Sequence, residues 1–159
     1  MRIRIICVGK IKENFFTKAV EEYSKRLSRY CKLEIVELPD EKTPDNASEL
    51  VNEQIKNKEG LRILQSIQDN DYVCALAIEG KMFDSVELSQ HIEKLGIEGI
   101  SSIAFVIGGS LGLSADVLNR ADYKLSFSKM TFPHQLMRVI LLEQIYRTFR
   151  IMKNEPYHK

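Results

Sequence analysis

The amino-acid sequence predicts an α/β protein built on a largely parallel sheet, and two features of the chain lead to this fold class. Strand-like apolar runs alternate with helix-like amphipathic segments along the whole chain, which is typical of parallel sheets covered by helices. Two of these runs, residues 72–78 and 102–107, are almost wholly apolar, as strands buried on both faces are. Because ligands bind at the carboxyl ends of parallel strands, the loops that follow these runs are the first candidates for a site.

Apolar periodicity and turn residues place the individual elements. Continuous β-rich runs indicate strands, and apolar residues three and four positions apart indicate amphipathic helices. Gly60 is expected to weaken the second helix, since glycine is a poor helix former. The expected strands are 2–8, 33–38, 72–78, 102–107 and 123–126, and the expected helices are 14–29, 48–67 with Ser48 as N-cap, 85–95, 115–119 and 133–152.

Length and composition fit one globular domain. The 159 residues are 44% hydrophobic, and no repeat or linker divides them. No apolar stretch is long enough to cross a membrane, and the N-terminus lacks the pattern of a cleaved signal peptide, so we expect a cytoplasmic protein. Cys7, Cys31 and Cys74 have no metal-type spacing and are expected to be small reduced thiols.

The net charge of +1 conceals an uneven distribution along the chain. Residues 1–32 carry nine Lys and Arg against three Asp and Glu, residues 33–128 carry eight against seventeen, and residues 129–159 carry six against two. If the fold brings the two basic ends together, their surface suits a phosphate backbone, although solvated helix faces explain the charges equally well. The first predicted helix and its exit concentrate Lys18, Lys25, Arg26, Arg29 and Lys32.

The last predicted helix, residues 133–152, has hardly any polar face. Pro133 suits its first turn, where an amide hydrogen bond is not needed. A domain of this size covers only one side of a peripheral helix, so apolar surface is left over. That surplus predicts self-association, most simply as a two-fold dimer.

Two polar loops follow predicted strands and together favour a ligand pocket. Residues 106–112 read Val-Ile-Gly-Gly-Ser-Leu-Gly, and glycine permits a ligand to approach the backbone closely. Their spacing is that of neither a dinucleotide-binding fingerprint nor a P-loop. Residues 127–132 form the second loop, between the last strand and the last helix. Either loop alone is consistent with an ordinary turn, but two at strand ends favour a pocket.

Hydrolase and zinc chemistry find little support in the sequence. Ser110 lacks the G-x-S-x-G context of a nucleophilic serine. His91, His134 and His158 are widely separated and have no cysteine near them in sequence. His134, at the start of a helix, is more typical of a capping or packing residue.

The C-terminal tail offers groups that handle protons. His158 stands beside Tyr157 in a polar tail and is a candidate base, although such tails are often disordered. Glu143 and Arg147 are four residues apart on the last helix, and an ordinary intrahelical ion pair explains them.

Several stretches of the sequence are weak signals alone but highly specific in combination. They are Gly108-Gly109-Ser110 with Gly112, residues 125–135, Glu143-Gln144 with Tyr146-Arg147, Pro156-Tyr157-His158-Lys159, Val8-Gly9-Lys10 and residues 39–42. Together they resemble one bacterial family, the ribosomal RNA large subunit methyltransferase H family of the SPOUT methyltransferases. The resemblance covers the full chain, and Leu111 and Thr148 depart from the family pattern without weakening it.

This resemblance implies an S-adenosylmethionine-dependent enzyme that methylates N3 of a pseudouridine in 23S rRNA on the assembled ribosome. It also implies a single SPOUT domain over residues 1–159, with a parallel α/β sheet, a C-terminal trefoil knot and an active site at a homodimer interface. The knot follows from the resemblance alone, since the usual topology rules argue against knots. Neither a metal nor a membrane is expected to take part.

The resemblance further implies the site residues. The sulfonium already activates the methyl group, so the protein needs only to align the reactants and remove a proton. His158, or Tyr157 working with it, would receive the N3 proton, and Arg147 would orient the pseudouridine or a nearby phosphate. The implied cofactor contacts are Leu76, Gly108, Phe127, Ser128, Lys129, Met130, Thr131 and Phe132.

Two alternatives stay open at this point. A dimeric RNA-binding or ribosome-binding module without catalysis would share the basic ends and the apolar helix, but it would not need the two loops. A SPOUT methyltransferase that acts on tRNA would differ only in its substrate.

Overall fold

Five strands and five helices alternate along the chain in a computed structural model that describes residues 1–159. The predicted α/β class is confirmed, and the largest difference in bounds is at the third strand, which continues past residue 78 to Met82. The elements are β1 (Arg2–Val8), α1 (Asn14–Leu27), β2 (Lys32–Leu38), α2 (Glu49–Ser66), β3 (Tyr72–Met82), α3 (Ser85–Ile97), β4 (Ser102–Ile107), α4 (Ala115–Arg120), β5 (Tyr123–Ser126) and α5 (His134–Met152).

The five strands form one sheet in the order β2-β1-β4-β3-β5, and every neighbouring pair is parallel. All carboxyl ends therefore meet at one edge of the sheet. Because β4, β3 and β5 are neighbours, the loops that follow them lie side by side at that edge. This order explains how two loops distant in sequence belong to one site.

Helices cover both faces of the sheet. Side chains of β4 alternate between the faces, with Phe105 in the larger core and Val106 in the smaller one. The larger core lies under α1, α3 and α5, and α5 packs between the other two helices. The smaller core lies under α2 and α4.

Gly60, which was expected to weaken α2, has a packing role that the sequence did not reveal. α2 continues through it without a break from Glu49 to Ser66, and Ser48 caps the helix by accepting the N–H of Val51. Gly60 is buried where a Cβ atom would lie 2.3 Å from the hydroxyl oxygen of Ser114. The glycine is needed for close approach to another segment, and this approach offsets its poor helix propensity.

A buried ion pair lies near the amino-terminal edge of the sheet. A guanidinium nitrogen of Arg4 lies 2.5 Å from a carboxylate oxygen of Asp71, and both side chains are almost fully enclosed. Asp71 also accepts hydrogen bonds from the hydroxyl of Ser102 at 2.6 Å and from the N–H of Gln68 at 2.9 Å. Arg4 reaches a second carboxylate, that of Glu34, at 3.0 Å.

We expect Asp71→Ala to lower the free energy of unfolding by about 3–5 kcal/mol, because it leaves a buried guanidinium without its closest partner. Burial by itself raises the pKa of Asp71, but hydrogen bonds from Ser102 and Gln68 and the presence of Arg4 outweigh it and leave the pKa lowered. A carboxyl with a lowered folded pKa stabilises the fold at pH values above its unfolded pKa of about 3.9, and this contribution is lost as the pH falls toward the folded pKa.

Urea unfolding of the wild type and the variant at neutral and acid pH measures both effects. Asp69→Ala is the matched control, since Asp69 is an exposed aspartate two positions away. Equal reductions of stability in the two variants would contradict the role given to Asp71.

Candidate active site

A cleft of about 940 Å³ lies at the carboxyl ends of β3, β4 and β5. Its walls include residues 76–79 of β3, the segment 107–113 at the end of β4 and after it, and residues 125–128 and 130–134 from the end of β5 to the start of α5. The two polar loops predicted from the sequence therefore line one cleft. Below, residues 108–112 are called the glycine turn and residues 127–133 the β5–α5 loop.

The glycine turn is tight, and its shape depends on glycine. Gly112 has a φ of +86° and donates its N–H to the carbonyl of Gly109 at 3.1 Å. A Cβ atom on Gly108 would lie 2.9 Å from the carbonyl of Gly112 and 3.0 Å from Leu113. Any side chain on Gly108 would therefore push the turn open and change this wall of the cleft.

The β5–α5 loop is held by its own serines. Ser126 donates its hydroxyl to the carbonyl of Ser128 at 3.1 Å, and the hydroxyl of Ser128 accepts the N–H of Met130 at 3.0 Å. The N–H groups of Thr131 and Phe132 donate to no group of the chain. The loop is therefore ordered around Ser128, and the N–H groups of Thr131 and Phe132 remain free for a ligand.

β5 pairs with β3 in two stretches that are out of register. Leu125 pairs with Leu76 and again with Lys81, so residues 77–80 bulge out of the pairing. A Cβ atom on Gly80 would lie 2.7 Å from the main chain of Lys124, which shows how closely the segments approach. This arrangement places Leu76 at the cleft beside the β5–α5 loop.

The structure brings most of the expected cofactor residues together. Lys129 lies on the same loop but is outside the lining of the cleft. The residues that line the cleft are Leu76, Gly108, Phe127, Ser128, Met130, Thr131 and Phe132.

His134 lines the same cleft, which the sequence did not reveal. Its ring lies over Gly9, which has a φ of +93° and where a Cβ atom would be 2.9 Å from the imidazole. The fully buried Arg138 donates to the carbonyl of Gly9 at 3.0 Å and to Glu37 at 2.7 Å, which fixes this corner. Burial, and next the charge of Arg138, lower the pKa of His134, so its ring is neutral at neutral pH.

A second group of candidate residues lies at the far end of α5. Arg147 pairs with Glu143 at 2.8 Å, as expected, but this ion pair also holds the tail. The hydroxyl of Tyr157 donates to Glu143 at 3.0 Å, and the ring of Tyr157 lies 4.7 Å from the guanidinium of Arg147. Nδ1 of His158 lies 3.2 Å from a guanidinium nitrogen of Arg147. The three expected catalytic residues, Arg147, Tyr157 and His158, are therefore close together. Together with Glu143 they are called the tail cluster below.

Hydrogen-bond chemistry distinguishes the two candidate proton acceptors. A guanidinium only donates, so Nδ1 of His158 accepts from Arg147 and carries no proton in this arrangement. Burial, and next the hydrogen bond to Glu143, raise the pKa of Tyr157, so its phenol stays protonated. In this structure the imidazole of His158 is therefore a hydrogen-bond acceptor, and the phenol of Tyr157 is a donor that holds Glu143.

The tail is folded back on the protein. Glu155 accepts hydrogen bonds from the hydroxyl of Tyr30 and from Arg150, the latter at 2.5 Å. Arg150 also donates to the carbonyl of Pro156 at 3.0 Å. These contacts place the residues that follow, Tyr157 and His158, next to α5.

The two basic ends of the chain meet beside the tail cluster. The guanidinium of Arg26 on α1 lies 5.3 Å from the ring of Tyr23 and 5.7 Å from that of Tyr146 on α5. The ring of Tyr146 in turn lies 5.0 Å from that of Tyr157. Cationic and aromatic groups alternate across this surface, a combination suited to phosphates and bases.

One chain does not bring the tail cluster to the cleft. An α-helix rises about 1.5 Å per residue, so roughly 20 Å separate His134 at the cleft from Arg147 on the same helix. Met137 is the cleft-lining residue of α5 nearest to Arg147, and about 15 Å of helix still separate the two.

Comparison with known proteins defines the class of this fold and site. The family described as "Predicted SPOUT methyltransferase" matches residues 1–158, and the chain belongs to the SPOUT methyltransferase family. It is therefore an enzyme that transfers a methyl group from a methyl donor.

The chain is similar over its full length to proteins named Ribosomal RNA large subunit methyltransferase H. Those of Clostridium novyi (strain NT), at 67% identity, and of Clostridium perfringens (strain 13 / Type A) and Clostridium kluyveri (strain NBRC 12016), each at 65%, align over 159 residues and 100% of both chains. The resemblance inferred from the sequence is thereby confirmed.

A solved structure agrees with the fold. A probable methylase family protein from Haemophilus influenzae Rd KW20 superimposes with a TM-score of 0.55 at 14% identity, covering 99% of this chain and 70% of the other. No helix of the present protein combines the length and apolar character that a membrane span requires. No group of three or more His, Cys, Asp and Glu side chains is arranged to hold a metal ion.

Proposed function

We propose that this enzyme uses S-adenosylmethionine to methylate N3 of a pseudouridine in 23S rRNA, acting on assembled ribosomes in the cytoplasm. The observation that carries the proposal is the 65–67% identity over the full chain to proteins named Ribosomal RNA large subunit methyltransferase H. The proposal treats residues 1–159 as a single catalytic domain.

The cleft suits the proposed methyl donor. Its volume of about 940 Å³ is in the range of small-molecule sites. The free N–H groups of Thr131 and Phe132 match the acceptor nitrogens of an adenine ring. When bound, the donor supplies an electrophilic methyl group on a sulfonium. Leu76, Gly108 and the β5–α5 loop, including the main chain at Lys129, would hold it.

The proposal includes a homodimer whose active sites each use both subunits. Leu136, Val139 and Ile151 on α5 are only partly buried, although α1 and α3 flank this helix. A two-fold pairing of α5 with α5 covers such residues and places like surfaces against each other. It also brings the tail cluster of one copy toward the cleft of its partner, which removes the separation of roughly 20 Å along one helix. The proposal also includes the C-terminal trefoil knot that the family resemblance implies.

The tail cluster has the groups that methylation at N3 requires. N3 of a pseudouridine carries a proton and lies between two carbonyl groups. If Arg147 transfers its hydrogen bond from His158 to one of these carbonyls, Nδ1 of His158 becomes free to accept the proton. The guanidinium then faces the negative charge that develops on the ring, and Glu143 keeps it in place. No covalent intermediate with the protein is needed.

Labelled S-adenosylmethionine tests the proposed function directly. We expect the purified enzyme to label a pseudouridine of large-subunit rRNA in ribosomes that lack the modification, and to label the assembled ribosome more than separate subunits. Mapping the labelled nucleotide identifies base and position together. Label confined to tRNA would overturn the substrate but keep the chemistry. Cofactor binding without label in any RNA would favour a non-catalytic binding module.

The basic surface of α1 is expected to dock the ribosome. Replacing Lys25, Arg26 and Arg29 with glutamine should weaken ribosome binding and flatten its dependence on salt, by about 0.7–0.9 in the log–log slope for each phosphate that is no longer neutralised. Binding measured between low and moderate salt gives this slope. Lys58→Gln is the matched control, because Lys58 is exposed on α2 at the opposite face. An unchanged slope in the triple variant would place the docking surface elsewhere.

A further inference from the structure

Glu59 on α2 is a buried carboxylate for which the proposed chemistry has no use. Glu59 is only 4% exposed, and no Lys or Arg lies within ion-pair distance of its carboxylate. The nearest candidate, Arg62, instead pairs with Glu41 at 2.6 Å. A buried carboxylate without a direct cationic partner costs stability, so its presence calls for another explanation.

The carboxylate of Glu59 packs directly on the glycine turn. A Cβ atom on Gly109 would lie 3.0 and 3.1 Å from the two carboxylate oxygens, so a side chain there would require the carboxylate to shift by a few tenths of an ångström. The next residue of α2, Gly60, makes the close approach to Ser114 just after the turn. Two consecutive residues of α2 therefore support the segment 109–114 at both ends.

Glu59 also ties the glycine turn to the loop that follows β2. One carboxylate oxygen accepts the N–H of Glu41 at 3.1 Å, and the hydroxyl of Thr43 lies 3.5 Å from that of Ser110 in the turn. Burial raises the pKa of Glu59, and the charges of Asp40 and Glu41 raise it further. The hydrogen bond from the N–H of Glu41 and the charge of Arg62 lower the pKa, but they do not outweigh burial.

We propose that Glu59 is a positioning residue for the methyl donor, whose carboxylate fixes the glycine turn against the loop of residues 39–47 and so sets one wall of the cleft. Glu59 does not line the cleft and acts only through the turn. The inference rests on the proposed function, because it takes the cleft to be the site of S-adenosylmethionine.

Binding of S-adenosylmethionine and S-adenosylhomocysteine, measured by calorimetry, provides the first test. Glu59→Ala should weaken both by about tenfold, since it leaves the N–H of Glu41 without its acceptor and removes the carboxylate that packs on the glycine turn. Glu59→Gln keeps an oxygen for the N–H of Glu41 and should restore most of the affinity. The kcat at saturating cofactor should stay near that of the wild type, because the tail cluster is untouched. Ile63→Val, a buried change on α2, controls for reduced stability.

A double-mutant cycle provides the second test. Gly109→Ala places a methyl group against the carboxylate and should weaken binding in the wild-type background. In the Glu59→Ala background that space is free, so the same change should have much less effect. Additive effects of the two changes, or wild-type affinity in Glu59→Ala, would overturn this inference but leave the proposed function standing. Failure of the wild type to bind either nucleoside would overturn the proposed function, and this inference with it.

Discussion

Mixed dimers of two inactive variants are expected to regain methyl transfer. Gly108→Ala damages the cleft, because a Cβ atom there meets the carbonyl of Gly112 at 2.9 Å. His158→Ala leaves the cleft intact and removes the proposed proton acceptor. If each active site combines the cleft of one copy with the tail cluster of its partner, a heterodimer has one intact site. Random pairing of equal amounts then restores about a quarter of wild-type activity.

Co-expression of the two variants with different tags allows the heterodimer to be isolated and its methyl transfer measured. The matched control mixes His158→Ala with Arg147→Ala. Both changes lie in the tail cluster, so every site of that heterodimer keeps one defect and no activity should return. If the cleft and tail variants together also stay inactive, although each forms a folded dimer, the shared site is wrong.

Most of the architecture was predictable because it follows from local patterns. Continuous apolar runs such as residues 102–107 indicate buried strands wherever they occur, and β4 proved to be central and fully buried. The extension of β3 was not predictable, since Glu79, Gly80 and Lys81 are polar or flexible, and the pairing of Lys81 and Met82 with β5 is a tertiary contact. The packing role of Gly60 was not predictable for the same reason, because its partner Ser114 is distant in sequence.

The site was predictable in part. The two loops were found because each follows a strand, and a parallel sheet gathers such loops at one edge. The position of His134 in the cleft was not predicted, because it depends on the turn at Gly9 and on the buried Arg138. The folded tail depends on Glu155 meeting Tyr30, two residues that no local pattern connects. The resemblance named the tail residues, but only the structure showed that one chain holds them far from the cleft.

Removal of the imidazole of His158 is expected to slow methyl transfer by about 10²- to 10⁴-fold, the usual contribution of a positioned general base. His158→Ala leaves the cleft unchanged, so the affinity for S-adenosylhomocysteine should match that of the wild type. Single-turnover methylation of ribosomes, with cofactor binding measured separately, distinguishes the two effects. Wild-type rates in the variant would remove His158 from the mechanism.

Two further observations separate a proton acceptor from a residue that merely orders the tail. The N3 proton of a uracil ring dissociates on its own at alkaline pH, so the defect of His158→Ala should shrink as the pH rises, and added imidazole should recover part of the rate. Tyr157→Phe keeps the ring under Arg147 and removes only the hydrogen bond to Glu143, so its defect should be smaller and independent of imidazole. A larger defect in Tyr157→Phe would identify the phenol, rather than the imidazole, as the proton acceptor. Because the raised pKa of Tyr157 keeps that phenol protonated, the reversed order would require substrate binding to break its bond to Glu143 first.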